Sequence, residues 1–313
     1  MDLRRREVLV AAMAAGMGAA ASLLLPRAGT AQGAAQAAPL ITKKIPSSGE
    51  PIPIIGLGTA RRYEKITEEA DLAPLRDTLR DYQKLGGPVI DSSPTYGTAE
   101  AVVGNLTEQL GIRGGLFLAT KVSIQGREAG IAQIEQSFKA YRTPKIDLIA
   151  VHNLRDTQVH LKTLRDLKAA GRIRYVGITT SFENQYKDFE ETIRRETLDF
   201  IQIDYALDNR NADERIIPLA RDRGMAVMTN LPFGRGRLFN AVQGKPLPEW
   251  AAEFDCKTWA QFFLKYIVSH DGVTCAAPGM AQAKYVPDNL AAAQGRLPDA
   301  AMRKRMESFI DGV

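Results

Sequence analysis

From Pro39 onward the chain repeats one pattern eight times: a short apolar, β-branched run, then a longer amphipathic stretch. The runs lie at 54–59, 89–93, 116–122, 146–152, 175–179, 200–205, 226–230 and 273–277, and most are bounded by Gly, Pro, Asp or Asn. Near-continuous apolar character over so few residues predicts strands buried on both faces, as in parallel sheets. The stretches between them carry the helical period. Within 72–85, Leu72, Leu75, Leu79 and Tyr82 recur at three- and four-residue spacing until Gly86-Gly87-Pro88 stops the pattern. Similar patterns occupy 101–110, 131–141, 161–170, 189–195, 214–223, 258–268 and 300–310, and Gly111, Gly171 and Gly224 stand where helices end. Eight strand–helix units predict an α/β fold, the closed (β/α)8 TIM barrel. A β-hairpin over 41–54, turning at Ser47-Ser48-Gly49, precedes the first barrel strand and is placed to plug the barrel floor.

A doubly wound sheet uses the same alternation, but its dinucleotide fingerprint needs GxGxxG after the first strand. Here Gly56-Leu57-Gly58 runs on into Thr59-Ala60-Arg61. No linker, charge block or low-complexity stretch divides 38–313, which therefore reads as one barrel domain.

Residues 1–37 read as an export signal. Arg4, Arg5 and Arg6 form a charged start, 8–25 is an uncharged run rich in Ala and Gly, and small-residue cleavage patterns follow at Gly29-Thr30-Ala31 and Ala35-Gln36-Ala37. The order Arg5-Arg6-Glu7-Val8-Leu9 resembles a twin-arginine signal, the address of proteins exported already folded. Left uncleaved, the run would be a membrane anchor, though its Ala and Gly make it only mildly hydrophobic. The expected location is periplasmic or otherwise extracytoplasmic, with the export machinery for folded proteins as a partner.

The formal net charge is +5, of which the leader supplies +2 through four arginines against Asp2 and Glu7. The remainder is too weak to argue for nucleic acid, and no Lys/Arg run interleaves with aromatics. Cys256 and Cys275 form no CxxC or Cys/His cluster, and His152, His160 and His270 form no HxH or HExxH, so no metal site is expected.

In a barrel of this kind, polar residues at the C-terminal ends of strands face the active site. Four stand out: Asp91 at the end of the second strand, Tyr96 just beyond it, Lys121 ending the third and His152 ending the fourth. Consecutive strands thus bring a carboxylate, a phenol, an ammonium and an imidazole to one rim. The set suits proton delivery to a carbonyl. A free phenol titrates near about 10. A neighbouring ammonium favours the phenolate and lowers that value, a carboxylate holds the ammonium, and a neutral imidazole can orient the substrate oxygen. Each residue alone has a plainer role as cap, half-buried aromatic, solvated strand end or rim histidine; all four in barrel order favour chemistry.

With these residues in place, the chain resembles the aldo-keto reductases. The resemblance rests on Gly56-Leu57-Gly58-Thr59, Asp91-Ser92-Ser93-Pro94-Thr95-Tyr96-Gly97, Ala119-Thr120-Lys121 and Val151-His152-Asn153. It continues through Gly177-Ile178-Thr179-Thr180, Gln202-Ile203-Asp204-Tyr205, Leu231-Pro232-Phe233-Gly234, Pro278-Gly279 and Asp288-Asn289, covering nearly all of 50–292. It implies a barrel that binds a nicotinamide dinucleotide without a Rossmann motif and passes a hydride between it and an aldehyde, a ketone or the matching alcohol. By resemblance, Tyr96 is the general acid, Lys121 lowers its pKa, Asp91 pairs with Lys121 and His152 orients the carbonyl. The implied cofactor contacts are Gly58, Thr59, Asp91, Thr179, Thr180 and Gln202, then Leu231, Pro232, Phe233 and Gly234 on the loop after the seventh strand, with Arg235 and Arg237 as phosphate partners. Gly279, Met280, Lys284 and Asn289 are implied at the adenosine end.

Three positions depart from the family pattern. The aromatic that stacks on the nicotinamide is replaced at Thr229-Asn230-Leu231-Pro232. The arginine that grips the 2′-phosphate falls on Tyr285; Lys284 is adjacent and Arg235 and Arg237 lie on the loop after the seventh strand, and with these carrying the phosphate charge NADP(H) is favoured, NAD(H) being the alternative. The loop after His152 is short, reaching a helical pattern by about Thr157, and the chain ends soon after 300–310 without the long C-terminal loop of many members. An open pocket for broad or bulky carbonyls is expected, with 234–253, carrying Phe239 and Trp250, as lid or cofactor strap. The rival reading is a cofactor-sensing or interaction protein on a reductase barrel, which needs little turnover.

Overall fold

A computed structural model of the chain describes residues 39–313; the expected export signal lies outside the described residues. The chain opens with an antiparallel hairpin of β1 (Thr42–Lys44) and β2 (Pro51–Pro53). The alternation then runs β3 (Leu57–Gly58), α1 (Glu69–Lys84), β4 (Val89–Asp91), α2 (Ala99–Gln109), β5 (Phe117–Val122), α3 (Arg127–Tyr141), β6 (Ile146–His152) and α4 (Thr157–Ala169). It continues through β7 (Ile173–Thr179), α5 (Tyr186–Arg195), β8 (Phe200–Asp204), the short α6 (Asn211–Glu214), α7 (Ile216–Asp222), β9 (Ala226–Asn230) and α8 (Arg237–Ala241). It ends with α9 (Trp259–Val268), β10 (Cys275–Ala276), α10 (Val286–Ala291) and α11 (Ala300–Asp311).

Strands β3 to β10 pair in chain order and in parallel, and two parallel bridges, Ile55 to Ala276 and Gly58 to Gly279, join the first strand to the last. This is the eight-stranded barrel expected from the alternation, with the hairpin also in place. The closing strands are shorter than the runs 54–59 and 273–277 because the chain closes by isolated contacts, Gly56 N–H to Ala276 O at 2.8 Å and Gly58 N–H to Pro278 O at 2.8 Å. Gly58 is required there: a Cβ on it would stand 2.8 Å from the Ala277 carbonyl oxygen.

The helix expected at 214–223 is split at Arg215 into α6 and α7. Pro218 has no N–H to return to Glu214, so the chain restarts and carries the proline in the first turn of α7. Helices α3, α4 and α5 begin three or four residues before their apolar periodicity, because their first turns are mostly polar in sequence, although Gly130 and His160 in them are buried.

Inside the barrel, Phe117, Leu148, Tyr175, Phe200 and Met228 are buried together with Ile45 and Ile52 from the hairpin, which seals the floor. Below them Arg174 donates to Asp147 at 2.6 Å and to both oxygens of Glu50 at 2.6 and 3.1 Å, and the Tyr175 hydroxyl donates to Glu50 at 2.5 Å. Cys256 and Cys275 are free and buried, and burial pushes both thiols up to about 12.

Candidate active site

The C-terminal strand ends open into a cleft of about 490 Å³. Parallel pairing steps the rim residues along the barrel: Asp91 lies opposite Ala119, two residues before Lys121, and Lys121 opposite Ala150, two before His152, while His152 lies opposite Thr179 and Thr179 opposite Gln202. The Lys121 ammonium is buried and donates to Asp91 Oδ1 at 2.7 Å and to the Ser92 carbonyl at 2.7 Å. Burial works against its charge, but the Asp91 carboxylate, its hydrogen bond and the Tyr96 phenol outweigh that and hold Lys121 above its usual value. Its Nζ lies 5.4 Å from the centre of the Tyr96 ring, and Tyr96 and His152 meet edge to face at 6.0 Å.

Burial raises the Tyr96 phenol, and the Lys121 charge pulls it back only in part. Lys121 acts in the direction the resemblance implies, yet in the ligand-free cleft desolvation is the larger effect. Tyr96 therefore rests fully protonated at neutral pH, the form of a proton donor. Burial and the cations Lys121 and Arg155 depress His152 to about 3, so its imidazole is neutral. Ser93 Oγ lies 3.2 Å from His152 Nδ1. With Ser93 donating there, the ring proton sits on Nε2, the nitrogen left for a substrate oxygen.

Along β7 to β9 the cleft carries unused polar groups. Thr179 Oγ1 donates to Gln202 Oε1 at 3.0 Å, which leaves the buried Gln202 Nε2 without an acceptor. Asn230 donates weakly to the Thr180 carbonyl at 3.4 Å, and its buried Oδ1 has no donor. A buried polar group without a partner is costly, so a spare donor and a spare acceptor on one wall mark a site for a ligand that offers both. A carboxamide does. The loop beyond β9 is held in the left-handed region at Leu231 (φ 53°), Gly234 (φ 55°), Arg235 (φ 57°) and Gly236 (φ 99°). Such backbone can turn amide N–H groups toward an anion.

Of the expected contacts, Gly58, Thr59, Asp91, Tyr96, Lys121, His152, Thr179, Thr180, Gln202, Leu231, Pro232, Phe233, Arg235 and Gly279 line this one cleft. One of these is engaged elsewhere, and the remaining expected contacts lie outside the cleft. The Thr180 hydroxyl is taken up by Gln185 at 2.5 Å and accepts from the Phe182 N–H at 3.1 Å, so it shapes the turn. Gly234 and Arg237 face a neighbouring cavity, where Arg237 pairs with Asp208 at 2.9 Å. Met280 is buried, its carbonyl accepting from Tyr63 at 3.0 Å; Lys284 lies 4.9 Å over the Tyr285 ring; Asn289 is buried on α10. In the segment read as a lid, Phe239 lines the cleft, whereas Trp250 packs into the aromatic cluster of Phe254, Phe262 and Phe309. Sequence reasoning passed over Arg61, Arg62, Glu64, Asn153 and Phe182, which also line the cleft. The adjacent arginines directly after Gly58-Thr59-Ala60 were the available signal.

The chain matches the model of the aldo/keto reductase family over residues 54–310 and belongs to that family. It is similar to the aldo-keto reductase YhdN of Bacillus subtilis (strain 168), 28% identical over 216 residues, which are 64% of this chain and 63% of the length of that relative. Among solved structures, the barrel superposes on an aldo/keto reductase from Klebsiella pneumoniae in complex with NADP and acetate, with a TM-score of 0.72 and 24% identity over 84% of this chain and 93% of that one. It also superposes on the holo form of an aldo-keto reductase from Bacillus halodurans, with a TM-score of 0.70 and 22% identity over 86% and 96% of the two chains. At these identities the likeness is one of fold.

Proposed function

We propose that this protein reduces aldehydes or ketones, and oxidises the matching alcohols, with NADP(H) as hydride carrier. The observation that carries the reading is the complete set Asp91, Tyr96, Lys121 and His152 on one cleft, next to the unused donor of Gln202 and acceptor of Asn230. Gln202 and Asn230 would hold the carboxamide of a nicotinamide, and Arg235 with the left-handed backbone around it would take the phosphates. Bound there, the reduced dinucleotide supplies a hydride to the carbonyl carbon.

The chain's own residues manage the oxygen. His152 Nε2–H hydrogen-bonds to it and fixes its direction, and the Tyr96 hydroxyl gives it a proton, so the carbonyl leaves as an alcohol. Charge left on the Tyr96 oxygen faces the Lys121 ammonium, which Asp91 holds in place. In the reverse direction the phenolate takes the alcohol proton. NADP(H) is supported by the Klebsiella pneumoniae relative that holds NADP. The charged start at Arg4, Arg5 and Arg6 and the uncharged run after it support export in folded form through the twin-arginine route, with cofactor bound before export.

Fluorescence titration of residues 38–313 with NADPH and NADH tests the reading. Saturable NADPH binding at micromolar concentration, tighter than NADH, is expected; no binding of either below millimolar concentration overturns it. Fractionation of cells expressing the full chain, with an Arg5→Lys, Arg6→Lys pair as control, tests export.

A further inference from the structure

Most arginines in the described residues are paired with a carboxylate, but Arg61, Arg62 and Arg235, which line the cleft, are not. The cleft wall holds four cationic side chains, these three and Lys121, against only two carboxylates. Both carboxylates are engaged: Asp91 binds Lys121, and Glu64 accepts the Arg61 backbone N–H at 2.6 Å. The cleft therefore presents uncompensated positive charge beyond the proton-transfer set.

The loop that carries Arg61 and Arg62 is bonded to the turn that carries the proton donor and, through the Tyr63 hydroxyl, also to the Met280 carbonyl. The Thr98 N–H donates to the Glu64 carbonyl at 3.1 Å, the Thr98 hydroxyl donates to the Tyr63 carbonyl at 2.7 Å, and the Ile66 N–H donates to that hydroxyl at 3.0 Å. The fit against the Tyr96 turn is so close that a Cβ on Gly97, itself at φ 53°, would stand 2.1 Å from the Glu64 carbonyl oxygen. A group gripped by these arginines thus lies at a set distance from the oxygen that Tyr96 protonates. Arg61 holds φ 64°, a left-handed conformation that glycine would adopt without strain. An arginine kept in that conformation on a cleft wall points to a use for its charge.

The remainder of the mouth is aromatic. Phe182 and Phe239 are 47% and 39% exposed, and both line the cleft. Exposed aromatic faces beside an opening mark contact with an apolar ligand body.

We propose, resting on the reductase reading above, that the substrate is a ring-bearing aldehyde or ketone that also carries a carboxylate. The carboxylate pairs with Arg61 and Arg62, and the ring lies against Phe182 and Phe239. The same charges could instead serve the cofactor phosphates, and the test separates the two.

The probes are 4-carboxybenzaldehyde and its neutral, similarly sized methyl ester, with NADPH as reductant. The wild-type chain is expected to favour the acid by about tenfold or more in kcat/KM, mostly through KM, and to lose that preference as salt rises. An Arg61→Gly, Arg62→Ala chain brings the ratio near one, and Arg62→Glu, on an exposed side chain, inverts it. Equal wild-type kcat/KM for acid and ester overturns the proposal while leaving the reductase reading intact. A double variant that weakens NADPH about tenfold and keeps the acid-to-ester ratio assigns the arginines to the cofactor, and also overturns it. Failure to reduce either aldehyde with NADPH bound overturns the reductase reading and this inference together.

Discussion

The two ends of the barrel treat polar groups in opposite ways. At the floor, Arg174 is bonded by Glu50 and Asp147, Tyr175 is bonded by Glu50 and Ser48, and Asp147 also accepts the Leu118 N–H at 2.7 Å. At the mouth, Gln202 Nε2 and Asn230 Oδ1 have no partner, and Arg61, Arg62 and Arg235 have no carboxylate. Left-handed backbone at non-glycine residues occurs at both ends, with Arg142 at φ 52° on the turn entering β6, but gathers around the cleft. Arg61, Asn153, Leu231 and Arg235 line the cleft with positive φ, whereas the hairpin at the floor reaches positive φ only at Gly49. Satisfied polar groups hold the floor together, and unsatisfied ones at the mouth are available to ligands.

The largest effect separating the two ends is expected at Tyr96. Tyr96→Phe removes the proton donor and keeps the ring, so kcat for carbonyl reduction should fall by about 10² to 10⁴, while the thermal midpoint stays within a few degrees. At the floor the consequence is reversed. Arg174→Ala strips Glu50 and Asp147 of their shared cation and should lower the unfolding free energy by about 2 kcal/mol in urea, with kcat per folded molecule within a factor of about two. A large loss of kcat there would erase the distinction between the ends. A smaller effect is expected at Gln202. Gln202→Leu removes an orphaned donor but also the acceptor of the buried Thr179 hydroxyl, so stability should fall by about 1 kcal/mol while NADPH binding weakens by about tenfold. Tight NADPH binding in that variant would remove Gln202 from the dinucleotide wall.

The mildest test is pH. His152 stays neutral down to about 3, so kcat/KM for reduction should show no histidine inflection near about pH 6.5 and should fall only on the alkaline side, as Tyr96 ionises. Below about pH 6.5 the unfolded chain takes up a proton at His152 that the folded chain refuses. This contribution to stability is present above that pH and is lost progressively as pH falls toward about 3. A bell-shaped profile with an acid limb near about 6.5 would mean that His152 works as a charged group.

The barrel was legible because its strands are apolar on both faces and its helices are periodic, two signals that survive without any contact information. The catalytic rim was legible for a related reason: Asp91, Lys121 and His152 are ionisable residues ending apolar runs, and such positions point one way in a barrel. The cleft walls were harder. Arg61, Asn153 and Leu231 take left-handed backbone without being glycine, so nothing in the sequence marks those turns or says where their neighbours point. Arg237 looks equivalent to Arg235 in sequence, yet one helical start separates them: Arg235 borders both the cleft and the adjoining cavity, whereas Asp208 holds Arg237 in the adjoining cavity. Trp250 read as part of a lid, but the aromatic cluster on α9 and α11 claims it.

The proposed chemistry is direct hydride transfer at this cleft. The most direct measurement follows deuterium from NADPH labelled at the nicotinamide C4 into the carbinol carbon of the product, comparing the wild-type chain with Tyr96→Phe. One deuterium per alcohol formed is expected, delivered from a single face of the nicotinamide, with the rate collapsing in Tyr96→Phe while NADPH binding is kept. Bound NADPH with no deuterium in the product, or undiminished transfer by Tyr96→Phe, would contradict it.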